Sequence, residues 1–138
     1  MNAMSQSWTL LIGRVLVGLL FLVAGIRQFM FQTAIVGYFA KLGFPAPEAT
    51  VWLSIVIHII GGIMLIVGWK TQWASWLMLA LVVIATAMAH RFWQFDATQY
   101  ANQLNHFLKN VAIIGGLLYV ISFGAGAMSL DARKKSSG

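Results

Sequence analysis

The chain has 138 residues, 60% of them hydrophobic and 9% charged, with a mean hydropathy of +0.83. A water-soluble domain carries about a quarter charged residues, so this chain lacks the polar surface to cover a globule and reads as an integral membrane protein. It has no cysteine, which excludes disulfides, thiolate metal sites and cysteine nucleophiles within the chain. The net charge of +6 includes three basic residues in the closing DARKKSSG, a placement that suits anionic lipid and topology rather than nucleic acid.

No basic residue precedes Arg14, and the first apolar run exceeds the core of an ordinary leader, so the first thirty residues are expected to be a span. Four segments approach the ~20 apolar residues that a span requires. They are Trp8 to Phe29, Ala49 to Gly68, Trp73 to Phe92 and Asn105 to Phe123. None alternates with a period of two, and backbone groups in lipid must be paired internally, so all four are expected to be helices. The expected fold is therefore all-α: an integral membrane four-helix bundle in one domain, residues 1–132, with a basic flexible tail at 133–138. The final Ser-Ser-Gly is set aside.

Between the first two spans, Ile35, Tyr38, Phe39 and Leu42 share one helical face while Lys41 falls off it. This predicts a short helix in the membrane interface, ended at Gly43 and followed by the breakers Pro45 and Pro47. WKTQW is a tight loop that makes the second and third spans an antiparallel hairpin. QFDATQYAN reads as an ordinary polar loop. Trp8, Trp69, Trp73 and Trp76 are expected at one interface, and Tyr38, Trp52, Trp93 and Tyr100 at the other. The basic tail favours cytoplasmic termini. HIIGGIML and AIIGGLLY in the second and fourth spans echo each other. They are either a degenerate repeat or, more simply, glycine pairs that let helices approach closely.

Most ionisable groups converge on the half of the membrane away from the termini. Arg27 and Gln28 end the first span, His90 and Arg91 end the third, and Asn105, His106, Lys109 and Asn110 fall in the first two turns of the fourth. His106 and Lys109, three apart, share a face. Such a pocket suits an amphiphile with carbonyl or anionic oxygens, such as a quinone head group or a small oxyanion. Arg27, Lys41 and Arg91, each taken alone, read as interfacial anchors. His58 lies near the midplane, about 15 Å into its helix. It either marks a site or bridges two helices by a hydrogen bond. Arg14, permanently charged, sits about two turns in from the terminal face by helix rise. It either snorkels or meets helix carbonyls, a polar cavity or a ligand's oxygens. No carboxylate partner is expected, because Glu48 lies towards the other face and Asp96 and Asp131 fall in a loop and the tail.

GRVLVGLLFLVAG, YFAKLGFPAP, HRFW, NHFLKNVAIIGGLLYV and GAMSLD, in this order and spacing, resemble the DoxX family of small four-helix bacterial and archaeal membrane proteins over about residues 10–132. The resemblance implies a cytoplasmic (inner) membrane location. It also implies a link to redox chemistry, since some relatives are subunits of a thiosulfate:quinone oxidoreductase. Arg14, His90, Lys109 and Asn110 match the family's polar positions. Two positions depart from it. His58 stands where the family commonly has an acid, and Gln28 where it commonly has Lys, which puts any carboxylate-dependent activity in doubt.

Three functions compete. In a quinone-linked oxidoreductase, or a membrane subunit of one, His58, His90 and Lys109 would be catalytic. Arg14, Gln28, His106 and Asn110 would bind a substrate or quinone, with Arg14 and Lys109 holding a partly reduced quinone or a sulfur oxyanion. Electrons would then come through a cofactor, a partner subunit or direct transfer from the substrate. A His-ligated haem would use His90 and His106, a weaker reading. A non-enzymatic scaffold or carrier of amphipathic molecules would need no special chemistry. No metal site is expected. The expected partners are the lipid bilayer, a redox subunit and a second copy of the chain, and no nucleic acid.

Overall fold

The computed structural model describes residues 2–136, with side chains through Lys134. Its helices are α1 (Ala3–Met30), α2 (Gln32–Lys41), α3 (Pro47–Val67), α4 (Thr71–Ala89), α5 (Ala97–Phe123) and α6 (Leu130–Ser136), with a 3-10 turn at Phe92–Gln94. Four segments, led by α1, α3, α4 and α5, are long and apolar enough to cross a membrane. The 21 residues of α3 span about 31 Å, close to the ~30 Å of hydrocarbon in a bilayer.

Local chemistry sets the helix ends. The Asn2 side chain accepts from the Ser5 N–H at 2.8 Å and starts α1. Pro47 occupies the first turn of α3, where its missing N–H costs nothing, and Glu48 beside it complements the helix dipole. Gly68, with φ 72, closes α3 by returning its N–H to the Met64 carbonyl. The polar stretch expected to be a loop instead opens α5, because Asp96 accepts from the N–H groups of Thr98 at 3.0 Å and Gln99 at 3.2 Å. The helix therefore begins at Ala97 rather than Asn105, and its first two turns project beyond the far face, the one away from the termini. His90 is the residue on which α4 ends.

The main seam is α1 on α3, with α3 on α4 and α4 on α5 following, while α1 and α5 touch sparsely. Glycine makes the first seam close. A Cβ on Gly62 would lie 2.8 Å from the Leu22 nitrogen and 2.9 Å from the Gly18 carbonyl oxygen. By contrast, one on Gly115 would meet nothing within 4 Å, so the two glycine pairs are not used alike. Phe21, Leu65, Ala74, Met78, Val82 and Leu117 form the core. The interfacial helix appears as α2, ending at Lys41. It packs on α3, with Phe39 stacked on Phe44 at 4.4 Å.

The region expected to be a flexible tail folds back as α6, which begins at Leu130. Asp131 reaches the start of α4, where its Oδ1 accepts from the Lys70 N–H at 2.7 Å and its Oδ2 from Thr71 at 2.9 Å. Its own N–H donates to the Gly68 carbonyl at 2.9 Å. Ser137 and Gly138, the end of the set-aside tripeptide, lie outside the described residues.

Candidate functional site

The sequence-selected polar residues separate into two places. Gln28, His58, His90, Lys109 and Asn110 line one cavity of ≈ 500 Å³ in the far half of the bundle. Thr50 and Ser54 also line it, and the rest of its walls are apolar, with Phe21, Leu81 and Ile113 among them. That size and composition match a small-molecule site with a few fixed polar groups.

The deep end is built around His58, on α3. Its Nδ1 lies 2.8 Å from the Ser54 carbonyl oxygen, one helical turn earlier. A carbonyl can only accept, so Nδ1 carries the proton, and in the neutral ring Nε2 is left with a lone pair. No hydrogen bond reaches Nε2 from the described residues. The Ser54 hydroxyl donates to Gln28 Oε1 at 3.1 Å, which ties α3 to α1 and leaves the Gln28 amide nitrogen free to donate. Phe21 lies against the imidazole, with ring centroids 5.8 Å apart. The deep end thus offers one acceptor, His58 Nε2, and one donor, Gln28 Nε2.

The outer end comes from α4 and α5. Asn110 donates to Thr86 Oγ1 at 2.8 Å, and Thr86 in turn donates to the Val82 carbonyl. This fixes the Asn110 amide and leaves its oxygen as an acceptor. Lys109 donates to His106 Nδ1 at 3.2 Å. An ammonium has only donors, so His106 receives this contact through a lone pair. His90 Nδ1 faces Gln103 Oε1 at 3.0 Å. His90 and His106 stack face to face, 5.0 Å between centroids and 15° between planes. His106 is therefore behind the cavity wall and acts on it only through Lys109 and His90. The face-to-face stack also leaves no room for a macrocycle between two nitrogens aimed at one iron, so this pair does not fit haem ligation.

Arg14 is elsewhere. It lies at the terminal end of the bundle, level with Gly68, where α3 stops, and Nη2 donates to the Met128 carbonyl at 2.9 Å. Only 2% of the residue is exposed. The expectation that it lacks an acidic neighbour is overturned, because the fold-back of α6 brings Asp131 into its field. Burial pushes the Asp131 carboxyl up, but the Thr71 and Lys70 N–H groups and the Arg14 charge outweigh this and hold it below the usual carboxylate range. Arg14 therefore belongs to a clasp joining α1, the α3–α4 turn and α6, and not to the cavity around His58. Among the described residues no group of three or more His, Asp or Glu is placed to hold a metal ion.

Sequence reasoning missed Ser54, Thr86, Gln103 and Asp131. Ser54 was findable, since it precedes His58 by one helical turn. The other three act across the fold and carry no local signal.

Comparisons with known proteins agree with this architecture. The DoxX family model matches residues 9–91. The chain is 30% identical to the inner membrane protein YphA of Escherichia coli over 124 residues, which are 90% of this chain and 89% of that one. It is 34% identical to the ER-derived vesicles protein ERV29 of Saccharomyces cerevisiae over 84 residues, 61% of this chain and 27% of that one. It is 31% identical to a Surfeit locus protein 4 homolog of Drosophila melanogaster over 96 residues, 64% of this chain and 34% of that one. The chain thus spans most of YphA but only a quarter to a third of the two eukaryotic relatives. No solved structure matches significantly. With the family model covering more than half its length and YphA aligned nearly end to end, the chain belongs to the DoxX family.

Proposed function

We propose that this protein binds the polar head of a quinone-class amphiphile in the cavity between His58 and Lys109, as a membrane subunit of a redox system. The observation that carries this reading is the ≈ 500 Å³ cavity with a free imidazole nitrogen at its deep end and a lysine at its outer end. A ring bearing oxygens at opposite edges has a hydrogen-bonding group for each. His58 Nε2 accepts a hydroxyl proton, the Gln28 amide donates to a carbonyl, and Lys109 stabilises negative charge on oxygen. A bound quinone would supply the exchange of electrons coupled to protons. His90 and Asn110 orient the outer edge, and His106 holds the Lys109 ammonium in place.

The inner membrane location given in the name of YphA and the basic C-terminal segment support a cytoplasmic membrane with both termini in the cytoplasm. A redox partner subunit and a homodimer belong to the same reading. Solvent extraction of detergent-purified protein, followed by mass spectrometry, tests it. A stoichiometric quinone retained by the wild type and lost in His58→Leu is expected, and phospholipid alone from both would sink it. The second reading, a carrier of amphipathic molecules, draws on the similarity to ERV29, whose name places that protein in vesicles. It predicts retention of diverse amphiphiles by His58→Leu.

A further inference from the structure

We propose that the thin seam between α1 and α5, on the side of the termini, is a groove for one anionic phospholipid whose phosphate meets Arg14. The groove has a volume of ≈ 510 Å³ and shares no lining residue with the His58 cavity. Its polarity runs as a lipid's does. Gln6, Thr9 and Arg14 lie towards the terminal face, while Val17 and Gly116 form the deeper wall. Arg14 sits at the level where α3 ends. Since α3 matches the hydrocarbon thickness, that is the level of the head groups.

The independent observation is the state of the guanidinium. Arg14 is a permanent cation with five N–H donors, and it is almost wholly buried. Nη2 has the Met128 carbonyl, but Nε and Nη1 are buried with no hydrogen-bond partner. Asp131 accepts backbone N–H groups of the α3–α4 turn, and its charge acts on Arg14 without a hydrogen bond to either nitrogen. A buried charge with idle donors is unfavourable unless oxygens reach it. A phosphate diester at the polar end of the groove brings both the charge and the oxygens, and bidentate geometry suits the guanidinium. One acyl chain then runs over the side-chain-free surface of Gly13 and Gly116, beside the stacked Tyr119 and Phe123 rings.

The test is native mass spectrometry of the full chain in detergent, titrated with phosphatidylglycerol or with diacylglycerol of the same acyl composition, which lacks the phosphate. The first phosphatidylglycerol should be retained about tenfold more tightly, the size of one charge-assisted hydrogen bond. Gly13→Leu puts a side chain into the groove, and a Cβ there meets nothing within 4 Å outside its chain neighbours and its own helix backbone. This variant should lose the preference for the first lipid while unfolding at or above the wild-type temperature in detergent alone. Equal retention of the two lipids by the wild type overturns the proposal. So does a preference that survives Gly13→Leu, which would place the lipid on the basic C-terminal segment. Complete competition by inorganic phosphate also overturns it, by assigning a free oxyanion to Arg14.

Discussion

Gly25→Ala probes the joint between the helix scaffold and the imidazole. A Cβ at Gly25 would lie 2.8 Å from His58 Cβ, 2.8 Å from Ile59 Cγ1 and 3.1 Å from the Ile59 backbone nitrogen. Two of these atoms belong to the α3 backbone or are bonded directly to it, so no rotamer change relieves the contact. Carbon atoms rest at about 3.5–4.0 Å, so α1 must move outward by several tenths of an ångström, and the move also shifts Gln28, one turn further on. Overpacking of this kind costs roughly 1–3 kcal/mol. The alanine also gains about 1 kcal/mol of helix propensity over glycine. Gly115→Ala is the control, since it takes the same propensity gain with nothing within 4 Å of the new methyl. The difference between the two variants therefore isolates the clash, about 1–3 kcal/mol. Thermal unfolding in one detergent, followed by far-ultraviolet circular dichroism, should place Gly25→Ala several degrees below Gly115→Ala. It should also weaken binding of a quinone-class ligand, because Gln28 is drawn from its hydrogen bond with Ser54. A Gly25→Ala protein that unfolds at or above the temperature of Gly115→Ala would refute the close α1–α3 contact.

Asp131→Ala should destabilise the fold by about 0.5–2 kcal/mol, the range for losing a helix cap. Because the folded carboxyl is held below its ordinary value, this contribution is fully present above the unfolded pKa of about 3.9 and is lost as pH falls through the depressed folded value. The gap in unfolding temperature between wild type and variant should therefore be constant near neutrality and close only in acid, and a gap that closes above pH 5 would contradict this. Lys70 adopts a left-handed backbone, φ 45, at a cost of about 1–2 kcal/mol for an L-residue. Lys70→Gly should accordingly raise the unfolding temperature, and a fall would mean that the Lys70 ammonium over Trp69 matters more than the backbone. Lys109→Met should raise the Kd of a quinone-class ligand about tenfold by removing a charged donor. Equilibrium titration followed by tryptophan fluorescence reads this, and an unchanged Kd would remove Lys109 from the site.

What could be read from the sequence followed from patterns that are local along the chain. Four apolar runs, the amphipathic face from Ile35 to Leu42 and the closing Gly68 each carry their physics within a few residues. The convergence of His90, Lys109 and Asn110 followed from span direction and helix rise alone. Errors arose where a backbone group chose its partner across the fold or at a helix end. Asp96 turned a polar loop into two helical turns by capping, a signal present in the sequence but read as loop composition. Asp131 looked like part of a solvated tail, yet sixty residues earlier the exposed N–H groups at the start of α4 lacked a cap, and no pattern near Asp131 reports that need. Arg14 reads in the sequence as lacking an acidic neighbour, and the same fold-back brings Asp131 into its field.

The three acidic residues settle how charge is arranged in this bundle. Glu48 lies in the first turn of α3, Asp96 caps α5, and Asp131 caps the start of α4. Each is committed to the positive end of a helix, where a carboxylate is stabilised. None lines the cavity, whose titratable side chains are all nitrogen bases: His58, His90 and Lys109. A proton placed on His58 Nε2 therefore has no carboxylate in the cavity to balance the charge. Only the ligand can bring the balancing charge. A hydroxyl that passes its proton to His58 becomes an oxyanion next to the imidazolium it has created, with Lys109 at the other end of the cavity. For the proposed function, the bound head group and not the protein therefore holds the negative charge in the cavity.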